Sequence, residues 1–108
     1  MRIPQTSPLE ALQAQQTGAL LVDVREQDEW DAGHAPGAVH LPLSELSGRR
    51  GELAGAARVV MLCRSGARSD LAASLLASEG IPAENLAGGL LAWERADQPL
   101  EPLDGSVI

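Results

Sequence analysis

The chain holds one cysteine, Cys63, at the seam between an apolar run and a short loop: Val59-Val60-Met61-Leu62-Cys63-Arg64-Ser65-Gly66-Ala67-Arg68-Ser69. Four apolar residues in a row suit a strand buried on both faces. Gly66 lets the backbone curl, and a helical pattern starts at Ala67. A tight loop that runs into a helix N-terminus turns several backbone N–H groups toward one point, where an anion is favoured. Arg64 and Arg68 add fixed positive charge. A free thiol ionises near ~8.5, and helix N-termini or neighbouring cations lower that value. The pattern therefore predicts a reactive, partly exposed sulfur nucleophile. The opposing reading is an inert core cysteine, because free Cys is among the most buried residue types. The Arg-Ser-Gly-Ala-Arg sequel favours the reactive thiol.

The surrounding elements must place that loop. Ser7-Pro8-Leu9-Glu10 reads as a helix start, with Leu9 and Leu12 on one face and Gly18 as its stop. Ala19 to Val24 is another continuous apolar run, read as a buried strand. A short polar helix over about 27–32 closes at Gly33, and His34-Ala35-Pro36-Gly37-Ala38 forms a turn. Val39 to Leu41 is a short strand ended by Pro42, and 44–50 gives one or two helical turns. Ala67 to Glu79 is the strongest helix, with Leu71/Leu75 and Ala72/Leu76 paired at i, i+4. A last short strand at 85–87 leads through Gly88-Gly89 into a helix over 90–96. Alternating strands and helices predict an α/β domain with a small, mostly parallel sheet flanked by helices. In such sheets sites form at the carboxyl ends of strands. One domain over 1–108 is expected, its core at about 7–99, with an irregular and mobile tail over 98–108.

The 108 residues contain eight arginines, no lysine and fifteen acidic residues, for a net charge of −7. That balance argues against nucleic acid or an anionic membrane as partner. A single cysteine excludes an internal disulfide and any multi-thiolate metal site. No signal peptide or spanning segment is visible, so a cytoplasmic protein with a reduced thiol is expected. No metal or cofactor is expected.

The loop Cys63-Arg64-Ser65-Gly66-Ala67-Arg68-Ser69 resembles the active-site loop of the rhodaneses, the thiosulfate sulfurtransferase family. Leu21-Val22-Asp23-Val24-Arg25 resembles that family's strand motif. Glu29-Trp30 with Gly33 to Leu43 resembles its second motif, and Leu86 to Trp93 the segment near its end. The four lie in the family's order and spacing across about residues 9–99. The resemblance implies a rhodanese-like three-layer fold and a double displacement through a persulfide on Cys63. The donor would be thiosulfate or a similar small anion. The acceptor would be cyanide, a low-molecular-weight thiol or a sulfur-carrier protein. Backbone N–H groups from Arg64 through Ser65, Gly66 and Ala67 to Arg68 would cradle the outer sulfur. Mercaptopyruvate is a less favoured donor, because sites of that type carry a less basic loop.

Arg64 and Arg68 are the expected donor contacts, unless nearby carboxylates engage them. Ser65 and Ser69 either bond the sulfur or cap the Ala67 helix, with Ser69 capping or facing inward. Asp23 and Arg25 belong at the same sheet edge as Cys63; Arg25 either helps to bind the donor or, as the favoured reading, pairs with Glu29 as a scaffold ion pair. His34 is assigned to its turn rather than to a Cys–His couple, and Trp30 and Trp93 to the core. Ala35 and Asp97 depart from the family's usual residues, a larger apolar one and Gly. Three rivals stand beside the transferase. A phosphatase or arsenate reductase needs five residues between Cys and Arg, and here there are four. An inactive interaction module typically lacks the cysteine. A protein-to-protein sulfur relay keeps the same chemistry.

Overall fold

The computed structural model describes residues 2–108. Five strands, β1 (Gln5–Thr6), β2 (Leu20–Asp23), β3 (Val39–His40), β4 (Val59–Leu62) and β5 (Ala83–Leu86), form one sheet in the order β1-β5-β4-β2-β3. Every pairing is parallel. The helices are α1 (Pro8–Gln16), α2 (Gln27–Ala32), α3 (Leu43–Arg49), α4 (Ala67–Ser78) and α5 (Gly89–Arg95), with a 3-10 turn at Arg50–Leu53. The expected α/β architecture holds. Strand β1 and the 3-10 turn are additions that two polar residues and an Arg-Gly-Glu stretch do not announce.

The strands alternate between two helical layers, as period-two side chains require. Val22, Val24, Val59, Met61 and Cys63 face one core with Leu46, Leu53, Ala72, Ala73 and Leu76. Leu21, Val60, Leu62 and Leu86 face the other with Ala11, Leu90 and Trp93. The central strands are therefore apolar on both faces, which is why they read as unbroken runs.

Local signals explain the helix starts. Ser7 Oγ accepts from the Glu10 amide and Glu10 Oε1 accepts from the Ser7 amide, both at 3.2 Å, closing a capping box ahead of Pro8. The inward face of α1 differs from the expected one. Ala11 and Ala14 are buried and Leu12 packs half-buried against the same core, while Leu9 is exposed. In α4 the buried pair is Ala72/Leu76, and Leu71 and Leu75 are 72% and 51% exposed. An i, i+4 pairing alone does not say which of two adjacent apolar stripes turns inward.

Trp93 is a core anchor, fully buried, its indole N–H donating to the Pro99 carbonyl at 2.8 Å. Trp30 is not. It is half-buried between two imidazoles, with ring centroids 3.8 Å from His34 and 4.7 Å from His40. Ala35 is buried beside Leu21, Leu90 and Trp93. Asp97 sits at φ 56°, a left-handed position where glycine is unstrained and Asp is among the better-tolerated alternatives. The tail after Gln98 is irregular, yet it is tied down. His34 and Glu101 exchange both backbone hydrogen bonds, and the Ser106 amide donates to the Ala32 carbonyl at 2.9 Å. Among the described residues no helix is long and apolar enough to cross a membrane.

The start of α5 is bolted to the loop after β4. The amides of Leu90 and Leu91 donate to the carbonyls of Cys63 and Arg64 at 2.8 and 3.0 Å. The approach is possible because Gly89 has no side chain: a Cβ there would lie 2.5 Å from the Arg64 oxygen and 2.7 Å from the Cys63 oxygen. Its φ of 63° adds a backbone cost for any other residue. Gly89→Ala is expected to destabilise the fold by about 2 kcal/mol or more in urea titration, since strain and backbone overlap both act.

Candidate active site

Parallel strands β2, β4 and β5 end at one edge, and that edge gathers Asp23 and Arg25, Cys63 with its loop, and the turn at Gly88. Cys63 is the first residue past β4. Its side chain is buried, 1% exposed, rather than partly exposed as expected. The reason is local. The loop closes over the sulfur, and Sγ accepts from the amides of Gly66 at 3.1 Å and Ser69 at 3.3 Å.

Gly66 is the N-cap of α4 at φ 102°, without a side chain to cap with. The sulfur therefore takes the place of the usual Ser or Asp oxygen. Neither Ser65 nor Ser69 caps the helix. Ser65 is exposed, and Ser69 is fully buried with Oγ 3.1 Å from Sγ. Two amide hydrogens and one hydroxyl group thus meet the sulfur, and the amides suit a sulfur that carries negative charge.

Asp23 and Arg25 come together at this edge, both fully buried. Arg25 Nε and Nη2 donate to the Asp23 carboxylate, the shortest contact being 2.8 Å, and Nη2 also donates to the Gly33 carbonyl at 2.7 Å. The expected pairing of Arg25 with Glu29 is thus replaced by Asp23, two residues away on the same extended segment. Arg25 Nη1 has no hydrogen-bond partner among the described residues.

Glu29 instead takes both Nη groups of Arg68 at 2.8 Å. The carboxyl of Glu29 is pulled down to about 2, chiefly by those hydrogen bonds and against the effect of burial. The same bonds hold the Arg68 guanidinium proton above its ordinary range. Arg68, 38% exposed, is a tether between α2 and the loop as well as a charge beside it. Arg64 is exposed, and its Nε donates to the Ile108 carbonyl at 3.0 Å. Ala67 is exposed and Gly66 buried at the loop's rim.

His34 turns to its own segment, its Nδ1 donating to the Trp30 carbonyl at 3.0 Å. Two residues near the sulfur escape a reading of the sequence. Glu29 pairs with Arg68 rather than with the expected Arg25. Asn85, in β5, lies with Oδ1 2.6 Å from Ser69 Oγ. Its signal was present, since an Asn inside a buried strand needs partners.

The chain is similar to known proteins in sequence and in fold. The family model for the rhodanese-like domain matches residues 7–96. A sulfurtransferase of Allochromatium vinosum is 39% identical over 87 residues, covering 80% of this chain and 81% of its own. A putative sulfur carrier protein of Bacillus subtilis, YrkF, is 36% identical over 68% of this chain and 40% of its own length. The chain thus spans about two-fifths of the first curated relatives it matches. Among solved structures, thiosulfate sulfurtransferase from Pseudomonas aeruginosa superposes with a TM-score of 0.80 at 32% identity, over 92% of this chain and 20% of that one.

Two outcomes follow from the buried charges. Asp23→Ala leaves the Arg25 guanidinium buried without its counter-charge and is expected to cost about 3–5 kcal/mol in denaturant unfolding. Glu29 is depressed from 4.5 to about 2 in the folded chain, so its stabilisation is complete above pH 4.5 and lost as pH falls toward 2. The stability gap between wild type and Glu29→Gln should be flat at neutral pH and close across that acidic window in pH-dependent melts.

Proposed function

This chain belongs to the rhodanese-like domain family, and we propose that it moves sulfane sulfur through a persulfide on Cys63. One observation carries the reading: Sγ accepts from the Gly66 and Ser69 amides, with the Ser69 hydroxyl beside it, at the carboxyl edge of the sheet. The sulfurtransferase relative and the superposition on a thiosulfate sulfurtransferase support the same chemistry.

In the first half-reaction Cys63 gives up its proton to solvent, and its thiolate attacks the outer sulfur of thiosulfate. The donor's S–S bond breaks, and sulfite leaves with the electron pair. The product is Cys–S–S⁻. In the second half a nucleophile such as cyanide or a thiolate attacks that outer sulfur and regenerates the Cys63 thiolate. The amides of Arg64, Ser65, Ala67 and Arg68 line the same turn and receive the added sulfur. Approach is from the rim, where Arg64, Ser65 and Ala67 face solvent. Arg64 and Arg68 supply the positive charge that draws an anionic donor into a chain of net charge −7. Four residues between Cys63 and Arg68 make a bowl for one sulfur rather than for a tetrahedral phosphate. Likeness to a putative sulfur carrier protein favours a carrier or protein thiol as acceptor.

Mass spectrometry of protein incubated with thiosulfate should show a product one sulfur atom heavier, sensitive to cyanide and absent in Cys63→Ser. Transfer activity that survives Cys63→Ser would falsify the assignment. Arg68→Ala should raise the KM for thiosulfate about tenfold in steady-state assays, the loss of one charge-assisted contact.

A further inference from the structure

Ser69 has one hydroxyl hydrogen and two acceptors in reach, Cys63 Sγ at 3.1 Å and Asn85 Oδ1 at 2.6 Å. The rest of the network decides where that hydrogen goes. Asp70 is acceptor-only when ionised, and its carboxylate takes Gln5 Nε2 at 2.8 Å. That fixes the Gln5 amide, so its Oε1 accepts from Asn85 Nδ2 at 2.9 Å. The Gly66 carbonyl also accepts from Asn85 Nδ2, at 3.2 Å. Turning the Asn85 amide over would set its oxygen against two acceptors. Asn85 Oδ1 is thereby held toward Ser69, and the shorter contact draws the hydroxyl hydrogen to Asn85.

We propose that Asn85 is a positioning residue that sets the charge preference of Cys63 by competing with the sulfur for the Ser69 hydrogen. With the hydrogen on Asn85, a lone pair of Ser69 Oγ faces Sγ and accepts from the neutral S–H. With charge on the sulfur, as thiolate or persulfide, the hydroxyl rotates to donate to sulfur and Asn85 Oδ1 loses its donor. The chain Asp70–Gln5–Asn85–Ser69 therefore opposes charge on Cys63, while the Gly66 and Ser69 amides support it. A sulfur held between the two takes up its charged form and releases it again, as a carrier must. The persulfide half of this inference rests on the function proposed above; the competition for the hydrogen does not.

The test is the pH profile of Cys63 alkylation by iodoacetamide, which needs no sulfur transfer. Asn85→Ala frees the hydroxyl for the sulfur and should move the profile about one pH unit lower than wild type. In a Ser69→Ala background the same Asn85 substitution should produce no such shift. Gln5→Met, at an exposed position, removes one of the two acceptors that hold the Asn85 amide, leaving only the Gly66 carbonyl at 3.2 Å, and should shift the profile in the same direction by less. Thermal melts identify any variant that has lost its fold. An unchanged profile in both folded Asn85→Ala and Gln5→Met, or an equal shift with Ser69→Ala present, overturns the proposal. Failure of thiosulfate to load Cys63 in wild type counts against the proposed function and leaves this result standing.

Discussion

The sulfur of Cys63 closes the N-terminus of α4, and much of the surrounding architecture serves that contact. A helix start leaves several amides without partners, and an oxygen side chain ordinarily meets them. Here the capping position is Gly66, which has no side chain and a left-handed backbone, so the amides turn back onto the residue three places earlier. For that to happen β4 must deliver Cys63 to the sheet edge. The loop must be short, and the α5 start must clamp the loop carbonyls through Leu90 and Leu91. Gly89 makes the clamp possible by letting backbone meet backbone.

Charge is arranged around the sulfur in compensated pairs. Asp23 and Arg25 are both out of solvent, and Arg25 reaches on to the Gly33 carbonyl, so one buried pair fixes the turn that follows α2. Glu29, on α2, takes Arg68 from the other side. The loop's positive character is thus shared between a tethered Arg68 and an exposed Arg64. Such pairs bring little net stability when buried, but they cost heavily when one partner goes. Their contribution is to fix position at the sheet edge where Cys63 lies.

How much of this a reader of the sequence can see depends on the range of the signal. The paired apolar runs of β2 and β4, the capping box of Ser7 and Glu10, and the strand–Cys–loop–helix order are local, and each is legible. Partnerships across the fold are not. Arg25 is expected to meet Glu29, but the outcome turns on where α2 comes to lie, and the structure gives it Asp23 instead. The burial of Cys63 likewise depends on loop closure. The sequence leaves Ser69 inward-facing or capping, and only the approach of β5 brings Asn85 to it. β1 is two residues long and depends on β5 for its hydrogen bonds, so it carries no period of its own.

Because the Cys63 sulfur also closes the start of a helix, any chemical change at that atom is linked to local folding stability. Lengthening or oxidising the side chain displaces the acceptor from the Gly66 and Ser69 amides unless the new group takes over the same role. A modification that can accept those hydrogens keeps the first turn of α4 closed. One that cannot lets the turn fray, and solvent exchange of those two amides then reports which modification the cysteine carries.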